Sequence, residues 1–94
     1  MYQEDDSWPI LERALGGISK LRVVKEFTNN FDQWTTRYQL QKQTRLKAID
    51  VRTALKDLMQ IGWVEEYQGR IKKYRINKEN ALAMEVLEFL RHLG

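Results

Sequence analysis

Ninety-four residues, 43% of them apolar, with one proline and five glycines, fit a single domain with a thin core and no low-complexity stretch. Cysteine is absent, which excludes a disulfide framework and a thiolate metal site. The net charge is only +3, no apolar run approaches the length of a membrane span, and Glu4, Asp5 and Asp6 have the wrong charge for a signal peptide, so a cytoplasmic chain without a membrane partner is expected.

Residues 1–6 read as a loose polar tail. Ser7-Trp8-Pro9 is a helix start, with a capping hydroxyl and a proline in the first turn, and Ile10, Leu11, Ala14 and Leu15 give that helix one apolar face. Gly16-Gly17 stops or bends it. A second helix is predicted over 18–29, where Ile18, Leu21, Val24 and Phe27 recur near helical spacing and Val23 widens the stripe. Thr36 and Gln39 have capping-box spacing ahead of a third helix from Arg37 to about Gln43, with Tyr38 or Leu40 turned inward. After a turn over 44–47, a fourth helix runs from about 48 to 61 on Val51, Leu55, Leu58 and Ile61. Gly62 ends it. Residues 63–67 and 71–76 are β-rich runs joined through Gly69, with Tyr74 and Ile76 on one face and Lys73 and Arg75 on the other. Asn77 caps a last helix, about 78–93, carrying Leu82, Val86, Phe89 and Leu93 in one stripe, with Ala83, Leu87 and Leu90 beside it.

The charge is not evenly spread along this order. Ten of the 16 Lys and Arg fall between Arg37 and Arg75 against four acids (Asp50, Asp57, Glu65 and Glu66), a local +6, while residues 1–36 carry −2 and residues 76–94 carry −1. Helix, helix and hairpin with the cations concentrated on them is the layout of a nucleic-acid-reading surface.

Leu40, Leu46, Val51, Ala54-Leu55-Lys56-Asp57-Leu58, Ile61-Gly62-Trp63-Val64, Gly69-Arg70 and Tyr74-Arg75-Ile76-Asn77 follow in an order that resembles the winged helix-turn-helix of bacterial and archaeal transcriptional regulators of the ArsR/MarR type. The likeness covers about half the chain. It implies a mainly α fold with a small β-hairpin wing, in the order α-α-α-α-β-β-α: a helix-turn-helix over 34–62, a wing over 63–77 and a C-terminal helix over 78–94. Members of that superfamily often have glycine where Arg45 stands and a hydroxyl cap where Lys47 stands, so Asp50 is expected to take over the cap of the fourth helix.

The function implied is sequence-specific binding of double-stranded DNA by a small transcriptional regulator, with no cofactor and a nucleoid-associated location. The recognition helix would present Lys47, Ala48, Ile49, Arg52, Thr53 and Lys56 to the major groove. Thr35, Thr36, Arg37, Lys42 and Gln43 would meet phosphates, and Arg70, Lys72 and Lys73 would set the wing on the backbone or in the minor groove. In the same families the terminal helices form a homodimer interface, which here would use Trp8, Ile10, Leu11, Leu82, Val86, Phe89, Leu90 and Leu93.

Blander readings accompany these. A charged helix face is usually a solvated face. Trp34 and Trp63 read as core packing rather than base stacking, and His92 as a structural or solvent residue. Glu65 and Glu66, adjacent on a strand, point to opposite faces with no metal partner. No nucleophile set, phosphate loop or metal cluster stands in the sequence, so an enzyme is not expected. Two other functions keep the fold: a protein–protein module of a larger complex, which needs no cations on a recognition helix, and a non-specific architectural DNA binder, which the modest total charge disfavours.

Overall fold

The computed structural model describes residues 14–93. Of the first expected helix only Ala14 and Leu15 are described, both helical; Trp8, Ile10 and Leu11 lie outside the described residues. Helix α1 is Ile18–Asn29, α2 is Arg37–Thr44 and α3 is Ala48–Gln60. Strands β1 (Val64–Gln68) and β2 (Lys72–Ile76) follow, then α4 (Ala81–Leu93). This is a winged helix-turn-helix: α2 and α3 are the helix-turn-helix, the hairpin is the wing, and α1 packs against α3 and α4. Among the described residues no helix is long and apolar enough to cross a membrane.

The helices bury the faces that hydrophobic spacing selects, with two rotations. On α1 the core takes Val23, Val24 and Phe27, whereas Ile18 and Leu21 are exposed. At about 100° per residue Ile18 stands across the helix from Phe27, so the two cannot share a face. On α4 the inward pair is Ala83 and Leu87. Leu82, Val86 and Leu90 are half-buried against the core, while Phe89 and Leu93 are turned to solvent, 62% and 69% exposed. On α3, Val51, Ala54, Leu55 and Leu58 are buried, and on α2 Leu40 turns inward while Tyr38 turns out.

The helix ends follow local hydrogen-bonding rules. Thr36 and Gln39 form the full capping box: the Gln39 amide donates to Thr36 Oγ1 at 3.1 Å, and the Thr36 amide donates to Gln39 Oε1 at 3.1 Å. Helix α2 closes on Arg45, which holds a left-handed φ of 62° where a glycine would carry no steric penalty. Buried Thr44 orders the turn, its hydroxyl donating to the Leu40 carbonyl at 2.6 Å and accepting from the Leu46 amide at 3.3 Å. Asp50 does not cap α3. The N-cap is Lys47, without a side-chain bond, and Asp50 lies inside the first turn, where its charge suits the helix dipole. At the other end the Gly62 amide bonds to Met59 O and the Trp63 amide to Leu58 O, a Schellman closure that needs Gly62 at φ 81°.

Helix α4 also begins later than expected. Asn80, not Asn77, is its cap, with Oδ1 accepting the Ala83 amide at 3.0 Å. Asn77 instead makes a turn with Glu79 and donates its Nδ2 to the Gly62 carbonyl at 2.9 Å, tying the wing's exit to the end of α3. Two asparagine side chains that bond the backbone thus delay the helix by one turn.

The wing pairs Val64 with Ile76, Glu65 with Arg75, Glu66 with Tyr74, Tyr67 with Lys73 and Gln68 with Lys72. Val64, Tyr74 and Ile76 face the core, and the alternate positions face out. Thr35 extends the sheet on its other edge: its amide and carbonyl exchange bonds of 2.8 and 2.7 Å with Tyr74. This third, one-residue strand anchors the start of α2 to the wing.

Candidate nucleic-acid interface

The six recognition-helix candidates, Lys47, Ala48, Ile49, Arg52, Thr53 and Lys56, are all exposed, as the burial of Val51, Ala54, Leu55 and Leu58 on the opposite face requires. They do not all share one surface. Ala48 and Arg52 line a groove with Thr36, Arg37, Tyr38 and Gln41 from α2 and with Ile71 and Lys72 from the wing. Thr53 lies elsewhere, in a shallow depression beside Asp50 and Asp57 at the start of α1.

Three elements therefore deliver one cation each to the first groove: Arg37 from α2, Arg52 from α3 and Lys72 from the wing. The capping box leaves the Arg37 and Tyr38 amides without partners inside the helix, so the start of α2 adds two donors on a positive dipole end. Lys42, Gln43 and Lys73 line a second groove across the Tyr38 ridge, together with Trp34, Thr36 and Gln39. Arg70 is exposed near the hairpin tip and lines neither groove. Thr35 is buried, its hydroxyl donating to Gln39 Oε1 at 3.2 Å and its backbone held by Tyr74, so it supports the helix start and offers no surface to a phosphate.

The middle of the chain sorts its charges. Of the ten cations from Arg37 to Arg75, Arg75 alone forms an ion pair with a described residue, to Glu65 at 3.0 Å. The acids are drawn aside. Asp57 meets Lys20 of α1 at 3.2 Å, and Glu66 accepts from Gln68 and from the Tyr74 hydroxyl. Burial, then the bond to Glu66, pushes the Tyr74 hydroxyl above its ordinary pKa of 10.0. The remaining cations form no ion pair with a described residue.

Trp63 is fully buried, as expected, but Trp34 is not core. It is 37% exposed at the foot of the wing, with the Arg75 guanidinium 4.2 Å from its ring centroid and Tyr67 tilted against it at 5.9 Å. Gly69 has no Cβ where the Tyr67 ring lies. Arg75 is thereby held between Glu65 and Trp34, which braces the wing against the segment leading into α2. His92 is exposed, 3.8 Å from Glu88. Tyr38, Gln41 and Ile71 belong to the grooves and were not among the expected contacts. Periodicity offered one signal for Tyr38: Leu40 and Tyr38 cannot both face inward on a helix.

No family model matches the chain, and no curated protein matches it. Among solved structures, a possible transcriptional regulator from Methanosarcina mazei Go1 is similar over 96% of this chain and 80% of its own, with 21% identity and a TM-score of 0.68. At that identity the likeness shows a shared fold and nothing beyond it.

Proposed function

We propose that the chain binds double-stranded DNA in a sequence-specific manner, as a small cytoplasmic transcriptional regulator of the ArsR/MarR kind. The observation that carries this reading is the first groove, where Arg37, Arg52 and Lys72 converge from the two helices and the wing. In this reading the start of α3 enters the major groove, with Arg52 suited to a two-bond contact with guanine and Ala48 and Ile49 to a thymine methyl. Arg37 and the amides of the α2 start hold phosphates beside it. Lys72, Lys73 and Arg70 set the wing on the backbone or in the minor groove. The archaeal protein of similar structure is itself a possible transcriptional regulator, which agrees with this assignment.

Regulators of this kind act as homodimers, and the exposed Phe89 and Leu93 on α4 give a second copy an apolar stripe to cover. A two-fold dimer would set two recognition helices about 34 Å apart, one turn of B-DNA, and would read a palindromic site. The test is a binding titration on selected and random duplexes over a range of salt. With roughly four to six phosphates neutralised per protomer, log K should fall against log salt with a slope of about −4 to −5. A slope near zero removes DNA binding as the function. Equal affinity for selected and random duplexes removes sequence specificity.

A further inference from the structure

The second groove does not have the chemistry of a duplex contact alone. Lys42 and Lys73 form no ion pair with a described residue, and among the described residues no carboxylate lines the groove. That much suits any phosphate backbone. The two aromatic rings do not. Tyr38 is 67% exposed, with Lys42 Nζ 5.5 Å from its ring centroid, and Trp34 keeps 37% of its surface open although Arg75 and Tyr67 pack on it. Bases within a duplex are stacked on one another and present no face to a side chain, so a paired helix leaves the faces of these rings without a stacking partner. An unpaired base has a free face, and aromatic rings flanked by cations are how proteins hold single strands.

We propose that this groove takes unpaired nucleotides of a DNA strand running on from the duplex. Bases stack on Tyr38 and Trp34, and phosphates meet Lys42 and Lys73. The placement supports it: Thr36 and Tyr38 line both grooves, so the two adjoin and a strand leaving the first enters the second across these residues. The proposal rests on the reading that the first groove holds duplex DNA, and the experiment separates the two.

Fluorescein-labelled hairpin duplexes with a common paired sequence are compared by anisotropy: blunt, with four thymidines at the 3′ or the 5′ end, and with four abasic residues in the same places. A single-stranded oligothymidylate is titrated alongside. A thymidine tail of one polarity should tighten binding by about tenfold over the blunt duplex, since one stacked base contributes on the order of a factor of ten. An abasic tail should give much less. Tyr38→Leu should reduce the difference between thymidine and abasic tails several-fold, and Tyr38→Phe should keep it. Trp34→Leu should reduce it; because that change also removes the Arg75 stack, the Tyr38 pair decides the matter if Trp34→Leu unfolds. Thymidine and abasic tails that bind alike overturn the proposal, as does a difference that Tyr38→Leu leaves undiminished. If tails add nothing while the blunt duplex binds, the proposal falls and the duplex reading stands. If the blunt duplex fails to bind while oligothymidylate binds and loses affinity in Tyr38→Leu, the duplex reading falls and the groove assignment stands.

Discussion

Replacing Arg52 by alanine separates folding from recognition. Arg52 is exposed on α3 and forms no ion pair with a described residue, so its loss leaves no buried group unpaired. Alanine is at least as good a helix former, and the stability change should stay within about 0.5 kcal/mol. Binding should respond very differently. A guanidinium that makes two bonds to one guanine contributes about 1–3 kcal/mol of discrimination, so affinity for the preferred duplex should drop by about fivefold to 150-fold per half-site. Preference at one base position should relax, because the lost contact reads a base. The assay pairs a thermal melt with competition titrations on the preferred duplex and on a set of single-position variants. Unchanged affinity and unchanged preference would refute the argument, and would mean that α3 does not enter the groove by the face carrying Ala48 and Arg52.

Lys72→Ala, on the wing side of the same groove, should weaken all duplexes about equally and reduce the salt slope by about 0.9, which titrations at several salt concentrations would show. Gly62→Ala should destabilise the fold by about 1–2 kcal/mol in denaturant unfolding, because φ 81° is a left-handed backbone, whereas Asn80 Nδ2 at 3.5 Å from the new Cβ would not clash. The raised pKa of Tyr74 makes a sign prediction: the folded state holds that proton more tightly, so its stability is intact below pH 10.0 and is lost as pH rises beyond it, and Tyr74→Phe should blunt the alkaline loss seen by circular dichroism. Phe89→Asp should leave the fold of the single chain nearly unchanged, since the ring is 62% exposed, yet convert a dimer to monomer by sedimentation; an unmutated chain that sediments as a monomer at tens of micromolar sinks the dimer.

Much of this fold was legible because local signals agreed with one another. The capping box at Thr36, the glycine at 62 and the alternation of Tyr74 and Ile76 each specify a local geometry with few alternatives, and each stands where expected. The misses share a cause. Asn77 is a competent cap, but Asn80 lies one turn later, and the choice was made by the Gly62 carbonyl, which accepts from both side chains and is distant in sequence. Trp34 reads as core by composition and is drawn to the surface by its neighbours across the sheet, Arg75 and Tyr67. Thr35 reads as a phosphate contact, until the one-residue strand it forms with Tyr74 buries it. Residue type and spacing cannot reveal pairings between positions so far apart in the chain, because those pairings depend on where the wing folds back.

That fold-back also explains the distribution of charge. Arg75 is the one cation of the basic stretch that the described structure pairs, and it is the one that faces Trp34 rather than open solvent. Its guanidinium serves the joint between β2 and the entry to α2. Lys73 and Lys72 stand nearer the hairpin tip on the same strand, opposite Tyr67 and Gln68 rather than an acid, and form no ion pair with a described residue. Position along one strand therefore decides the setting of each cation: the base of the wing is braced, and the outer half leaves its charge exposed. The acids obey the same logic from the other direction. Asp57 sits on α3 more than a turn beyond Arg52 and is drawn to Lys20 of α1, away from the groove. The positive field at the grooves therefore does not come from a large net charge, which is only +3. It comes from a fold that sets its few local anions to the side and gathers Arg37, Arg52 and Lys72 at one place, where none of them forms an ion pair with a described residue.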